Sequence, residues 1–193
     1  MSAPSSNFYP LNFDLLEKVR GWRNLPRIRN NMLTNSIISS EQQIKWFESL
    51  VADKSRLYFV FFQNENPIGM LYFVDITKED CSWGCYIGEE AVWPGSGLLL
   101  EVAALDFALK KLSLEQLNAE VFDFNFAPQK MHKIFGYTSV DATENTIERE
   151  GKEHVLFKFQ YKKTDWINNR EKIVAKLPKQ IREGIKNIRF INK

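Results

Sequence analysis

The sequence predicts a mixed α/β (α+β) fold, in which helices flank a mixed central sheet. Three observations predict it. Helical spacing of apolar residues before residue 50 gives way to β-rich, aromatic segments between residues 56 and 88. A long amphipathic helix then starts at a proline and two glycines, in "VWPGSGLLLEVAALDFALKKL" (92–112). A strand, a short helix and a last strand follow, so the sheet is assembled from both neighbouring and distant segments.

Local signals justify each element of the first half in turn. Polar caps at Ser39 or Ser40 precede a short amphipathic helix from about Glu41 to Leu50. The segment "RLYFVFFQNENPIGMLYFVDI" contains two strands that "QNENP" joins into a hairpin, and "CSWGCYIG" is a third strand. We therefore expect an antiparallel meander before the glycine-rich turn.

The second half carries equally local signals. "NAEVFDF" predicts a strand, "QKMHKIFGY" a short helix that ends in a left-handed cap at Gly136, and "GKEHVLFKFQYKK" a final strand. From about Thr164, two helical pieces are separated by Pro178, and the second carries Ile181, Ile185 and Ile188 on one side.

Length and charge predict one main domain with an extension. At 193 residues and 44% apolar composition, the chain can bury one substantial core, which we assign to residues 1–161. Residues 162–193 form a basic helical C-terminal extension with ten basic and three acidic side chains, so the extension carries +7 and the rest −5. The acidic body argues against nucleic acid as a partner. The extension is expected to pack back on the domain or to join a partner chain in a homodimer.

Composition also excludes several classes of protein. No apolar run is long enough to cross a bilayer and the first residues lack a basic start, so we expect a soluble, cytoplasmic protein without a membrane span. Cys81 and Cys85 lie four apart on one face of a strand, too far apart for a disulfide. Neither His132 nor His154 is near them in sequence, so no metal is expected.

The glycine turn before the long helix is the first functional signal. A helix that starts without polar caps leaves backbone N–H groups free for an anion. A P-loop would need Gly-Lys-Ser/Thr here, and a dinucleotide fingerprint would need a third glycine; neither is present. The remaining interpretation is a pyrophosphate held by the N–H groups of Gly95, Ser96, Gly97 and Leu98.

This turn, read together with "NFAPQKMHKIFGY" (125–137), resembles the GNAT acetyltransferases. The resemblance implies a GNAT fold, whose central sheet contains a splayed antiparallel/parallel strand pair, and acetyl-CoA as co-substrate. It implies that Asn125 and Lys130 contact the cofactor and that His132, at the position where the family usually has Tyr, faces the thioester sulfur. Val92 stands where the family usually has Gln or Arg.

A further segment narrows the resemblance. "WRNLPRIRNNM" (22–32), followed by "SSEQQIKWFESL", is similar to the ribosomal-protein-type acetyltransferases and, more closely, to the sugar-nucleotide N-acetyltransferases of pseudaminic acid biosynthesis, the pathway that decorates bacterial flagellin. The resemblance covers about residues 8–160 and implies transfer to the 4-amino group of a UDP-linked 4-amino-4,6-dideoxy sugar. A protein N-terminus or lysine remains an alternative acceptor, and a non-catalytic module that binds through its basic tail remains an alternative of another class.

The chemistry of acetyl transfer then assigns roles. Backbone N–H groups of Tyr86, Ile87 and Gly88 are expected to polarise the thioester carbonyl, and His132 to donate a proton to the sulfur. Asp75, Glu89 and Glu120 are the candidate bases, of which we select Glu120. The acceptor is expected to contact a set of basic, amide, thioether and aromatic side chains: Arg23, Asn24, Arg29, Met32, Trp46 and Trp83.

Overall fold

A computed structural model describes residues 2–140, 146–149 and 151–191. Over these residues the chain forms seven α-helices: α1 (Leu16–Asn24), α2 (Pro26–Arg29), α3 (Ser40–Leu50), α4 (Ser96–Leu105), α5 (Phe126–Phe135), α6 (Lys163–Lys176) and α7 (Lys179–Lys186). A 3-10 turn at Phe13–Leu15 precedes α1, and a π-helical segment at Asp106–Lys111 continues α4. None of the helices in the described ranges is long and apolar enough to cross a membrane.

The described residues also form nine strands: β1 (Ser6–Pro10), β2 (Leu57–Gln63), β3 (Asn66–Val74), β4 (Asp80–Ile87), β5 (Gln116–Phe122), β6 (Thr138–Val140), β7 (Thr146–Arg149), β8 (Lys152–Lys162) and β9 (Ile188–Phe190). The sheet order is β6-β8-β5-β4-β3-β2-β1-β9, and β7 pairs with β8. Among the described strands, only the β1–β9 and β4–β5 pairs are parallel.

The β4–β5 pair separates soon after it begins. Register partners run only from Asp80↔Gln116 to Ser82↔Asn118, although β4 continues to Ile87 and β5 to Phe122. On their other sides the two strands stay paired, β4 with β3 and β5 with β8. The expected splayed pair is therefore confirmed, and it opens a wedge between two well-paired halves of the sheet.

Both faces of the sheet are covered, because inward and outward apolar residues alternate along its strands. Val60 and Met70 pack with α1, α2 and α3, whereas Phe59 and Phe61 pack with α4 and the C-terminal helices. This layering places the helices of the glycine turn on one face and the N-terminal helices on the other. Residues from both faces of the sheet can therefore reach the wedge between β4 and β5.

Several local predictions are confirmed. Ser39 caps α3 in a capping box with Gln42, and Gly136 ends α5 with φ 91°. The β2–β3 hairpin turns at Asn64 and Glu65, both with positive φ. Each of these features depends on residues close together in sequence.

The sequence did not predict β1, β6, β7 or β9. These strands are only three to five residues long, so periodicity has little to detect. The β1, β6 and β9 strands also pair with segments that are distant in sequence, whereas β7 pairs with the neighbouring start of β8. The prediction that Ile188 shares a helical face with Ile181 was wrong. Because α7 ends at Lys186, Ile188 instead begins β9, which pairs in parallel with Ser6 of β1.

The C-terminal residues pack back on the core. The Trp166 side chain is fully buried, and its indole N–H donates to Asp106 Oδ1 at 3.0 Å. Arg170 adds an ion pair to the same carboxylate at 2.6 Å. In α7, Ile181 is buried against the glycine turn, where a Cβ on Gly95 would collide with it. The isoleucine stripe is therefore covered by the chain's own core.

We predict that Trp166→Ala lowers the free energy of unfolding by about 3–5 kcal/mol, because it removes a fully buried aromatic ring. Urea unfolding followed by circular dichroism measures the change. Ile167→Ala is the matched control: this neighbouring side chain is 56% exposed, and its truncation should change the free energy by less than about 0.5 kcal/mol. Similar small effects in both variants would show that α6 contributes little to the fold.

Candidate active site

A cleft of about 420 Å³ fills the wedge between β4 and β5. Its walls include β4 residues Trp83 to Ile87 and β5 residues Ala119 to Val121. The start of α4 and the start of α5 close one end, and α2 with the residues that follow it covers another side. The cleft therefore joins the glycine turn to the segment around residue 125, as the sequence predicted.

The glycine turn presents one free amide to this cleft. Gly95 adopts a left-handed conformation with φ 105°, and α4 has no side-chain cap and no acidic residue in its first turn. The amides of Ser96 and Leu98 donate to Trp93 O and Gly95 O, at 3.1 and 2.9 Å. Among the described residues the Gly97 amide has no acceptor, and Gly97 lines the cleft. The Ser96 hydroxyl points elsewhere, to Gln63 Oε1 at 2.9 Å.

The open edge of β4 supplies further amides. The Gly88 amide donates to Ile68 O at 2.7 Å, so it is directed toward β3 and is already engaged. In an antiparallel ladder, successive residues alternate between facing the partner strand and facing away from it. By this alternation the amides of Cys85 and Ile87 face the splayed side, while that of Tyr86 faces β3. The sequence named Tyr86, Ile87 and Gly88, and it missed Cys85.

Asn125 lies at the start of α5 and lines the cleft. Its side-chain amide makes no hydrogen bond to the helix end that it precedes. It is thus available to a ligand in the cleft. Lys130 lies on the exposed side of α5 and is not among the residues that line the cleft.

His132 is buried at the inner wall of the cleft, with 4% of its surface exposed. Its Nδ1 lies 3.1 Å from Glu101 Oε1 of α4. The ring also packs on Trp83, Tyr137 and Phe159, with centroid distances of 5.8, 4.5 and 5.1 Å. Burial raises the pKa of the Tyr137 hydroxyl well above its ordinary value, and the Glu101 carboxylate adds to the effect.

Of the three candidate bases, only Glu120 lines the cleft. Its carboxylate lies 3.7 Å from Lys158 Nζ on the neighbouring strand. Glu89 lies elsewhere: the hydrogen bond from Lys18, together with one from the Trp22 indole, lowers the pKa of its carboxyl. Asp75 ends β3 in a left-handed conformation and lines neither this cleft nor the pocket beside it.

A second pocket, of about 470 Å³, adjoins the cleft. We call it the acceptor pocket. Met32, Tyr72 and Tyr86 line both spaces, so the two communicate. The other walls come from α1, α3, β2 and the loop at residues 33–38. Arg23 is the single charged side chain among the described residues that line it.

Arg23 is a half-buried cation without a carboxylate partner in the described part of the chain. Its Nη2 donates to the carbonyl and the hydroxyl of Thr34, at 2.7 and 3.2 Å. Its Nη1 is buried and makes no hydrogen bond. Burial lowers the pKa of the guanidinium from its ordinary value. A buried unpaired donor is costly, so this site favours an anionic ligand.

The remaining predicted acceptor residues divide into two groups. Met32 and Trp46 line the acceptor pocket, and Trp83 lines the cleft instead. Asn24 and Arg29 line neither. The Asn24 side chain exchanges two hydrogen bonds with the backbone of Ile38, at 2.8 and 2.9 Å, and Arg29 Nη1 donates to Asn35 O at 2.9 Å. Both side chains therefore hold the loop that walls the pocket.

Sequence reasoning missed two tyrosines of the acceptor pocket, Tyr58 and Tyr72, and named Tyr86 only for its backbone N–H. Tyr58, Tyr72 and Tyr86 come from three successive strands, and burial raises the pKa of each hydroxyl above its ordinary value. They therefore remain neutral donors at physiological pH. Their alternation with core residues in β2, β3 and β4 was the available signal. It could not distinguish a pocket wall from a covered face, because that depends on where α3 packs.

The cleft has the features that a phosphopantetheine thioester requires. An amide at a helix start suits a phosphate, unpaired strand amides suit carbonyl oxygens, and the Asn125 side chain suits an amide of the arm. Cys81 and Cys85 are both free thiols, and burial raises the pKa of each to about 12. Within the described ranges, no group of three His, Cys, Asp or Glu residues is arranged to hold a metal ion.

Comparison with known proteins agrees with this geometry. The acetyltransferase (GNAT) domain family matches residues 13–154. The acetyltransferase PseH of Campylobacter jejuni is 32% identical over 135 residues, which cover 70% of this chain and 84% of that protein. The basic residues from 162 onward lie beyond the matched region.

Solved structures share the fold. The Campylobacter jejuni N-acetyltransferase PseH superposes with a TM-score of 0.59 at 24% identity, and covers 82% of this chain and 99% of its own. A spermidine N-acetyltransferase from Vibrio cholerae, solved with CoA and spermine, gives a TM-score of 0.79 at 16% identity and covers 85% and 99%. The splayed β4–β5 pair and the glycine turn agree with the family match over residues 13–154. This match identifies the chain as a member of the GNAT acetyltransferases.

Proposed function

We propose that this protein transfers an acetyl group from acetyl-CoA to the 4-amino group of a UDP-linked 4-amino-4,6-dideoxy sugar, as in pseudaminic acid biosynthesis. The observation that carries the acceptor assignment is Arg23, a half-buried guanidinium with an unpaired Nη1 in a pocket that contains no carboxylate among its described lining residues. A diphosphate supplies the oxygen acceptors that this guanidinium lacks.

The cofactor assignment rests on the cleft. We place the pyrophosphate at the glycine turn, where Gly97 offers its amide, and the pantetheine arm along the open edge of β4. Asn125 contacts the arm, and Lys130, on the exposed side of α5, supplies a positive charge that attracts the phosphates. A Campylobacter jejuni PseH structure contains acetyl coenzyme A, and this relative supports the same co-substrate here.

The charge of the acceptor pocket argues against two other acceptors. A polyamine such as spermine, or a basic peptide, requires carboxylates to compensate its charge. The described lining of the pocket contains Arg23 and no Asp or Glu. The resemblance to spermidine acetyltransferases at 16% identity concerns the fold, and the same fold serves many acceptors. Ribosomal-protein-type transfer to a peptide remains the second candidate, supported by the N-terminal sequence.

The reaction then divides among the chain's own residues. Acetyl-CoA supplies the acetyl group as a thioester. Arg23 and the three tyrosines hold the acceptor so that its neutral amine faces the junction of the two spaces at Met32. The amides of Cys85 and Ile87 stabilise the charge that develops on the carbonyl oxygen. Glu120, or water beside it, takes the proton from the amine, and His132 returns a proton to the departing sulfur.

We further propose that residues 1–161 form the catalytic domain and that residues 162–193 complete its core. Ile181 against Gly95 links the extension to the glycine turn. In this view the extension supports the turn. Of its described charged residues, Lys163 and Arg170 form ion pairs with Glu115 and Asp106 of the domain, and the others are exposed.

The central experiment compares acceptors on the purified full chain. Thiol release from acetyl-CoA is followed with the UDP-4-amino sugar, with a ribosomal-protein N-terminal peptide and with spermidine. We expect release with the sugar nucleotide alone. Activity restricted to the peptide would replace the sugar assignment with the second candidate. No thiol release and no acetyl-CoA binding would leave the non-catalytic module as the explanation.

We predict that Arg23→Met raises the KM for the UDP-sugar about tenfold or more, because a charge-assisted hydrogen bond contributes about 1.5–3 kcal/mol. The same amino sugar without UDP is the matched control, and its KM should change little. Calorimetric titration with UDP alone checks the binding directly. Equal changes for both acceptors would show that Arg23 acts only by holding the loop at Thr34.

Asn125→Ala should weaken acetyl-CoA binding about tenfold, since one buried hydrogen bond is worth about 1 kcal/mol or slightly more. Isothermal titration calorimetry without acceptor measures it. Lys133→Ala, on the exposed side of the same helix, is the matched control and should leave the Kd unchanged. Unchanged affinity in both variants would place the pantetheine arm away from Asn125.

A further inference from the structure

We infer that Glu101 is the positioning residue for His132: its carboxylate fixes the imidazole so that Nε2 carries the proton given to the departing sulfur. The inference deepens the proposed function and rests on it for the identity of the leaving group. It concerns a residue in the middle of α4, 31 positions from His132, that no sequence motif singled out.

The buried position of Glu101 requires a partner. The residue is 3% exposed, and the rest of α4 from Leu99 to Leu105 is buried and apolar. A carboxylate in such surroundings is stable only when it is hydrogen-bonded or paired. Its Oε1 lies 3.1 Å from His132 Nδ1, and both side chains are within a few per cent of full burial. Both residues line the cofactor cleft.

This contact determines which ring nitrogen carries hydrogen. An ionised carboxylate can only accept, so the hydrogen in the contact belongs to His132 Nδ1. His132 Nε2 makes no hydrogen bond to any residue in the described ranges. It is therefore the nitrogen left for a ligand of the cleft. A histidine that contacts a ligand through one ring nitrogen, and that a carboxylate orients through the other, is a recurrent arrangement for proton transfer.

The other titratable groups around the pair do not compete for this role. Burial raises the pKa of Cys85 on β4 and of Tyr161 on β8 to about 12, and that of Tyr137 well above its ordinary value. All three stay protonated and uncharged at neutral pH. Glu120 on β5 faces the cleft from the opposite wall and pairs with Lys158. Glu101 is thus the carboxylate that compensates a charged imidazole.

The proton transfer balances with these two residues. Before reaction the ring is doubly protonated, with Nδ1–H on Glu101 and Nε2–H toward the cleft. The amine nitrogen bonds to the carbonyl carbon, the carbon–sulfur bond breaks, and the sulfur leaves with the electron pair and takes the Nε2 proton. The ring remains as the neutral Nδ1–H tautomer, the amine proton passes to Glu120 or water, and solvent returns a proton to Nε2.

Nuclear magnetic resonance tests the arrangement without any acceptor. The chain has two histidines, so the long-range ¹⁵N spectrum contains two imidazoles. We expect the neutral His132 ring to be one tautomer, with hydrogen on Nδ1. In Glu101→Gln, whose side chain can donate as well as accept, we expect a tautomer mixture. His154, which contacts Asp123 at 3.2 Å, is the internal control and should not change. A wild-type neutral ring protonated on Nε2 would overturn the inference.

Kinetics tests the consequence. General acid catalysis is worth about a hundredfold or more, and we expect Glu101→Gln to lose about tenfold in kcat with little change in KM. Thermal unfolding and acetyl-CoA calorimetry confirm that the variant is folded and binds.

The control background is His132→Tyr, which restores the side chain usual in the GNAT family. There Glu101→Gln should cost less than about twofold in kcat. An equal loss in both backgrounds would show that Glu101 acts only through stability. Any accepted amine serves for these rate measurements, so a wrong sugar assignment leaves this test intact. If transfer is absent altogether, the tautomer measurement still decides whether Glu101 fixes the ring.

Discussion

The structure depends on one early separation: β4 and β5 stop pairing after Ser82 and Asn118. Each strand stays fully bonded to its outer neighbour, so the two halves diverge as stiff units. The inner edges then present backbone groups that secondary structure would normally satisfy. Unpaired edge groups attract another chain unless something else occupies them. We propose that the pantetheine arm of acetyl-CoA, which itself contains amides and carbonyls, binds these groups here.

Helix α4 links this wedge to the rest of the molecule. Gly97 and Glu101 lie four residues apart and therefore share one face, which is the face that lines the cleft. The same helix continues into the π-helical segment, where Asp106 binds Trp166 and Arg170 of the C-terminal extension. The proposed pyrophosphate site at the helix start, the Glu101–His132 contact in its middle and the anchor at Asp106 thus lie on one continuous helix. We propose that the extension supports the site through this helix, although it lies outside the matched family region.

The sequence predicted features that depend on residues close together in the chain, and it did not predict features that depend on distant residues. The capping box at Ser39, the positive-φ hairpin turn and the Gly136 cap depend on neighbouring residues, and each was predictable. The parallel pairing of β9 with β1 joins the two ends of the described chain, and no local pattern encodes it. Arg23 and Asn24 are adjacent, yet one faces the acceptor pocket and the other holds Ile38. Their difference depends on the path of the loop at residues 33–38, which periodicity does not determine.

The two spaces of the site have the same charge preference. The acceptor pocket carries an unpaired guanidinium among neutral tyrosines, and the cleft carries a helix start without an acidic residue. Both therefore favour anions, and both substrates of the proposed reaction carry a diphosphate. Among the described residues that line the cleft, Glu101 is the one buried carboxylate, and it contacts His132. In the proposed mechanism, an unpaired Glu101 would repel the thiolate that forms in the cleft, whereas Glu101 bound to the imidazole stabilises the ring that neutralises that thiolate. The charge that the cleft presents to a ligand thus depends on which ring nitrogen of His132 the Glu101 carboxylate contacts.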